Sequence, residues 1–149
     1  LVGSLEELAA SSDFISVHTP LNNQTRGLIG ADFFKAMKST AYFINTCRGP
    51  VVDEAALIDA LRNKEFAGAG LDVFEEEPTA PDNPLFDFDN VIVTPHSAGS
   101  SSRSRVAALV QVGQETARIL RGTLPMSLVN PEVRHKIAER PMGLNPSTQ

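Results

Sequence analysis

Three short apolar runs in this sequence each lead into a residue able to do chemistry. Residues 41–45 run into Thr46-Cys47-Arg48-Gly49-Pro50, residues 69–73 into Phe74-Glu75-Glu76-Glu77-Pro78, and residues 91–94 into Pro95-His96-Ser97-Ala98-Gly99. If the three runs lie side by side and parallel, one arginine, one carboxylate and one histidine converge from separate parts of the chain. Such a set suits reduction of a 2-keto acid. The cation takes the substrate carboxylate, the histidine protonates the new hydroxyl, and the acid keeps the histidine charged. Singly, each residue has a plainer reading. His96 reads as a partnered histidine at a strand end, Arg48 as a surface ion pair beside a Gly-Pro turn, and Glu77 as one of three glutamates in a solvated acidic loop. Asp72 closes an apolar run, where a buried charge needs a reason. Cys47 as a nucleophile competes with Cys47 as a small packing residue, and its setting favours the second. His135 lies where sequence pattern fades and reads as exposed.

The elements that must position these residues are legible around them. Residues 14–18, 41–45, 69–73 and 91–94 read as strands, rich in β-branched and aromatic residues. Helical patterns cover residues 4–10, 31–37 and 54–62, the first opened by Ser4-Leu5-Glu6-Glu7 in the form of a capping box. The strands are almost continuously apolar, which predicts helices on both faces of the sheet. Strand–helix–strand repeats of this length require crossovers and a parallel sheet, so the class is α/β, doubly wound. Ligands of such sheets bind at the carboxyl ends of the strands, where Arg48, Glu77 and His96 fall.

A long helix follows over residues 101–121, with Val106, Leu109, Val110, Gly113, Ala117 and Leu120 on one stripe. That spacing predicts packing along a core. Gly122 is placed to stop the helix and Pro125 to keep it stopped. Residues 1–130 read as one domain, residues 131–149 as a C-terminal segment, and 141–149 as a disordered tail.

Composition narrows the partners. The net charge of −5 disfavours nucleic acid and anionic membrane. The charge is uneven, with 6 Lys/Arg and 15 Asp/Glu in residues 1–100 against 7 and 3 in residues 101–149. A solvated basic helix face is the simpler reading of the second group. No apolar run approaches the roughly 20 residues of a membrane span, and the N-terminus lacks the features of a signal peptide. One cysteine allows no internal disulfide and fits a reducing cytoplasm. The sequence also lacks the Gly-x-Ser-x-Gly elbow of a serine hydrolase and the close His/Cys spacing of a zinc site.

The motifs together resemble the D-isomer-specific 2-hydroxyacid dehydrogenases. Asn45-Thr46-Cys47-Arg48-Gly49, Gly70-Leu71-Asp72-Val73-Phe74-Glu75-Glu76-Glu77-Pro78 and Thr94-Pro95-His96 are similar to that family's signatures, as are Val17-His18-Thr19-Pro20-Leu21 and Thr25-Arg26-Gly27-Leu28-Ile29. Order and spacing agree from about residue 5 to residue 131. The resemblance implies a Rossmann-like nucleotide-binding sheet, a nicotinamide cofactor (NAD or NADP), a small 2-keto or 2-hydroxy acid substrate, and a homodimer. It implies that Arg48 binds the substrate carboxylate, that His96 is the general acid in reduction and base in oxidation, and that Glu77 favours the protonated imidazole. His18, Thr19, Pro20, Thr46, Cys47, Arg48, Asp72, His96, Ser97, Ala98 and Gly99 are implied to line the cofactor. Ser97-Ala98-Gly99 departs from the commoner Ile/Gly-rich continuation, which bears on substrate preference more than on chemistry.

No Gly-x-Gly-x-x-Gly turn occurs, so the expected fold is incomplete at its N-terminus. With that turn goes the acidic residue that would separate NAD from NADP. Two other functions fit the same residues: an NAD(H)-sensing binding module of the corepressor type, and an inactive fragment.

Overall fold

In the computed structural model the described residues are 2–138. They form two compact units, divided between Ala98 and Gly99. The first holds strands β1 (Phe14–Val17), β2 (Tyr42–Asn45), β3 (Gly68–Leu71) and β4 (Val91–Val93), with helices α1 (Leu5–Ser11), α2 (Ala31–Ala36) and α3 (Glu54–Arg62). The strands lie in the order β1-β2-β3-β4 and every pairing is parallel. The alternation of helix and strand in the sequence dictates this arrangement, since neighbouring parallel strands need a crossover between them. From β3 to β4 the crossover has no α-helix and turns through a short 3₁₀ segment at Pro84–Asp87 instead.

Local signals start the helices where the side chains suggest. Ser4 accepts the Glu7 backbone N–H at 3.1 Å, and Asp53 accepts the Ala56 N–H at 3.0 Å. Helix α1 packs on α2 and α2 on α3, which makes one helical layer. Beneath it lies the core. Phe34 is fully buried, edge-on to Phe43 of β2 at 5.3 Å and stacked on Phe66 at 5.5 Å. Ile15, Val17, Leu57 and Leu61 close around this aromatic cluster.

The parallel sheet with flanking helices is the expected α/β architecture. Burial alternates along β1 and β2, and Phe14 and Tyr42 stand 71% and 45% exposed, stacked on each other at 5.5 Å. Apolar content shows that a side chain can be buried; a second layer decides whether it is. The strands also end earlier than predicted, with His18, Val73 and Thr94 outside the ladder. There the chain leaves the sheet to form the loops at the strand ends.

The second unit contains helix α4 (Ser102–Leu120), a 3₁₀ turn at Pro131–Val133, and helix α5 (Arg134–Ala138). Ser101 caps α4 by accepting the Ser104 N–H at 3.1 Å. Gly122 sits at φ 75°, the left-handed stop that glycine adopts without a Cβ penalty. The predicted burial of the α4 stripe is not met: no residue of α4 is buried, and Val106, Leu109 and Leu120 are 62%, 73% and 56% exposed. Periodicity defines a stripe, but this unit has too few elements to enclose one. Helix α5 adds order that the sequence pattern did not indicate, and His135 is exposed as expected. The predicted disordered tail at 141–149 lies outside the described residues. No helix among the described residues is long and apolar enough to cross a membrane.

Candidate active site

The four parallel strands bring their carboxyl ends to one edge, and the loops there hold His18 and Thr19 after β1, Arg48 after β2, Asp72 to Glu77 after β3, and His96 after β4. Nδ1 of His96 lies 2.7 Å from Oε2 of Glu77. The other Glu77 oxygen, Oε1, accepts the Phe74 backbone N–H at 3.0 Å. The carboxylate is thus anchored at one oxygen and orients the imidazole with the other. Because a carboxylate only accepts, Nδ1 must carry the hydrogen, which leaves Nε2 as the nitrogen for chemistry. Hydrogen bonding from His96 is the largest influence on Glu77; burial opposes it, and the Phe74 N–H and the His96 and Arg48 charges add to it. The net effect holds the Glu77 carboxyl below its ordinary value. The two side chains are 47% and 36% exposed, so solvent screening leaves the pair little stabilising worth; its value lies in orientation.

The three consecutive glutamates have three different surroundings. Glu75 and Glu54, at the start of α3, each donate a backbone N–H to the other's carboxylate, the Glu75 N–H reaching Glu54 Oε2 at 2.8 Å. Glu76 is exposed. Only Glu77 reaches the histidine.

Arg48 is exposed, and its Nη1 donates to the Cys47 carbonyl at 2.6 Å. Its turn is braced from beneath by Asn45, which is 1% exposed. The Asn45 amide donates to the Arg48 carbonyl at 3.2 Å while its Oδ1 accepts the Cys47 N–H at 3.1 Å. Gly49 then passes so close to the Phe74 backbone that a Cβ would collide with the Phe74 carbonyl. Glycine at this position lets the arginine loop lie against the loop that carries Glu77. Cys47 is half-buried with Sγ 3.1 Å from Asn45 Oδ1, a packing role within the same turn. Thr46 is exposed beside it.

His96 adopts φ 50°, a left-handed conformation uncommon for a residue with a Cβ. Its N–H donates to the Asp72 carbonyl at 3.0 Å, and the Ser97 and Ala98 N–H groups donate to the Asp72 carboxylate at 2.8 and 2.9 Å. Gly99 opens the second unit, where its carbonyl accepts from Ser104 Oγ. After β1, His18 Nε2 lies 2.8 Å from Ser16 Oγ, the Pro20 carbonyl accepts from Thr25 Oγ1, and the Thr19 hydroxyl oxygen is buried without a partner. None of these three bonds to Arg48, Glu77 or His96.

Asn45 and Thr94 support the site and were not singled out in the sequence. The signal was present: each is a polar residue ending an apolar run, the same reason that drew attention to Asp72. A separate depression of about 410 Å³ is lined by Glu54, Glu75, Glu76 and Asp82. Among the described residues no group of His, Cys, Asp and Glu could hold a metal ion.

Comparison with known proteins agrees with this geometry. The family described as D-isomer specific 2-hydroxyacid dehydrogenase, NAD binding domain, matches residues 1–98. A glyoxylate reductase of Korarchaeum cryptofilum is 45% identical over 139 residues, covering 93% of this chain and 41% of that protein. The chain thus spans about two-fifths of the length of that relative. Among solved structures, a D-isomer specific 2-hydroxyacid dehydrogenase of Xanthobacter autotrophicus Py2 in complex with NADPH and MES superposes with a TM-score of 0.72 at 44% identity, covering 86% of this chain and 52% of that one. The D-lactate dehydrogenase of Lactobacillus jensenii with NAD+ gives a TM-score of 0.77 at 34% identity, over 85% and 42% of the two chains. With its parallel sheet and the Glu77–His96 pair at the carboxyl edge, this chain belongs to the D-isomer specific 2-hydroxyacid dehydrogenase family, whose NAD binding domain residues 1–98 match.

Proposed function

We propose that the protein carrying this chain interconverts a small 2-keto acid and the corresponding D-2-hydroxy acid with a nicotinamide coenzyme. The observation that carries this reading is the Glu77 Oε2–His96 Nδ1 pair at 2.7 Å, on the same sheet edge as Arg48. Arg48 binds the substrate carboxylate through its guanidinium fork and polarises the keto oxygen. His96 Nε2 delivers a proton to that oxygen in reduction and takes it back in oxidation. Glu77 holds the imidazole in one tautomer. When bound, the coenzyme supplies or accepts the hydride. The chain offers it a fitting surface: the Thr19 hydroxyl is a buried polar atom without a partner, at the strand end where the sequence suggests a dinucleotide cleft. His18, Thr19, Pro20, Thr46, Cys47, Ser97 and Ala98 would hold the coenzyme there, and similar structures containing NADPH and NAD+ support either form. Similarity to a glyoxylate reductase favours a short keto acid such as glyoxylate or hydroxypyruvate. A cytoplasmic location and a homodimer accompany this reading, the first supported by the free thiol of Cys47.

The test is coenzyme oxidation followed by absorbance, with glyoxylate, hydroxypyruvate and pyruvate in turn and with NADH and NADPH in turn. Keto-acid-dependent turnover is expected. Coenzyme binding without turnover of any of these acids would instead favour a sensing module.

Glu77→Gln tests the pair. A carboxylate accepts at both oxygens, His96 Nδ1–H at Oε2 and the Phe74 N–H at Oε1, whereas a glutamine amide accepts at one and donates at the other, so one of the two bonds is lost. With the imidazole less well oriented, kcat for keto-acid reduction is expected to fall by about 10- to 100-fold. Glu75→Gln and Glu76→Gln should leave it in place. Measuring kcat for all three variants decides it: an unchanged kcat in Glu77→Gln removes Glu77 from the pair.

A further inference from the structure

We infer that Asp72 is a positioning residue for His96, its buried carboxylate tying the Thr94–Ala98 loop into the left-handed turn that sets the imidazole against Glu77. The inference rests on the dehydrogenase reading for its kinetic consequences, but not for its geometry. Asp72 is 3% exposed. Its Oδ1 accepts from the Thr94 hydroxyl and from the Ser97 N–H at 2.8 Å, and its Oδ2 accepts from the Ala98 N–H at 2.9 Å. Its own backbone carbonyl accepts the His96 N–H at 3.0 Å, and its N–H donates to Asn45 at 2.9 Å. Donors from both sides of His96 therefore end on one residue just past the end of β3. A left-handed conformation persists in a residue with a Cβ only where its surroundings over-determine it. Here three bonds to a charged acceptor, rigidly held between β2 and the loop after β4, do so.

The electrostatics agree. Burial acts against the charge of Asp72, but the bonds from Thr94, Ala98 and Ser97, with the charge of His96, outweigh it and hold the carboxyl below its ordinary value. The clamp therefore stays ionised across the neutral range. Asparagine in its place keeps the shape and turns an acceptor into a donor, so at least one N–H or O–H of the loop meets another donor.

Asp72→Asn and Thr94→Val supply the test in the protein carrying this chain, with two readouts. The first is the downfield proton signal of His96 Nδ1–H, which reports the bond to Glu77 whether or not the protein is an enzyme. It is expected to weaken or vanish in Asp72→Asn. The second is kinetic: kcat for keto-acid reduction should fall about 10- to 100-fold, as for a catalytic group displaced by about an ångström, with the coenzyme KM changed less than about threefold. Thr94→Val, at an exposed position, removes one donor and leaves the charge; it should weaken the same signal in a protein whose fold is intact even if Asp72→Asn does not fold. An unchanged His96 signal in the folded variants overturns the inference. So does a coenzyme KM that rises while kcat is kept, since Asp72 would then serve the coenzyme directly. A wild-type protein with the signal but no turnover would fail the dehydrogenase reading alone.

Discussion

His96→Ala is expected to lower kcat for keto-acid reduction by about 10²- to 10⁴-fold, the usual contribution of a positioned acid, while the coenzyme KM stays within a few fold. The size follows from the geometry. Glu77 occupies Nδ1, so Nε2 is the group left to protonate the developing alkoxide, and alanine supplies no replacement. The backbone complicates this variant, because His96 sits at φ 50° and alanine tolerates that region poorly. His96→Asn separates the two effects, since asparagine accepts the left-handed conformation but has no useful acid. Both variants should lose the same activity. Restoration in His96→Asn would mean that the turn, not the imidazole, is what the reaction needs. Turnover within a few fold of wild type in both would remove His96 as the proton donor.

Arg48→Lys should lower kcat/KM for keto acids by roughly ten- to a hundredfold, about the worth of one hydrogen bond to a charged group. The charge is retained, so any loss reports geometry. A guanidinium presents two parallel N–H groups to a carboxylate and an ammonium does not. The Arg48 turn is held by Asn45 and by the Gly49–Phe74 approach, so a shorter-reaching ammonium cannot be carried forward by a shift of the backbone. The loss should appear chiefly in the keto-acid KM, and a neutral ketone without a carboxylate should be reduced equally slowly by both proteins. Unchanged keto-acid KM and kcat would take Arg48 out of the substrate site.

The placement of Arg48, Glu77 and His96 at one sheet edge was legible in the sequence because parallel sheets have a fixed polarity. Residues that follow three apolar runs must reach one edge once those runs pair in parallel, and right-handed crossovers leave few other ways to connect them. Helix starts were legible for a similar reason: Ser4 and Asp53 act on backbone three residues away, and the sequence contains all of that interaction. What depends on distant neighbours was not. Glu77, Glu75 and Glu76 are chemically identical, and only the contact of the Phe74 N–H with Oε1, and of His96 with Oε2, separates them. Asp72 announced that a buried charge needed partners, but its partners lie 22 to 26 residues away on the far side of another crossover. The left-handed turn at His96 had no local signal, since no glycine marks it and its stabilisation comes from the adjacent strand. The alternating burial of β1 and β2 and the exposed stripe of α4 follow the same rule. A sequence states which side chains gain by leaving water, and only the packed layers decide whether anything is there to receive them.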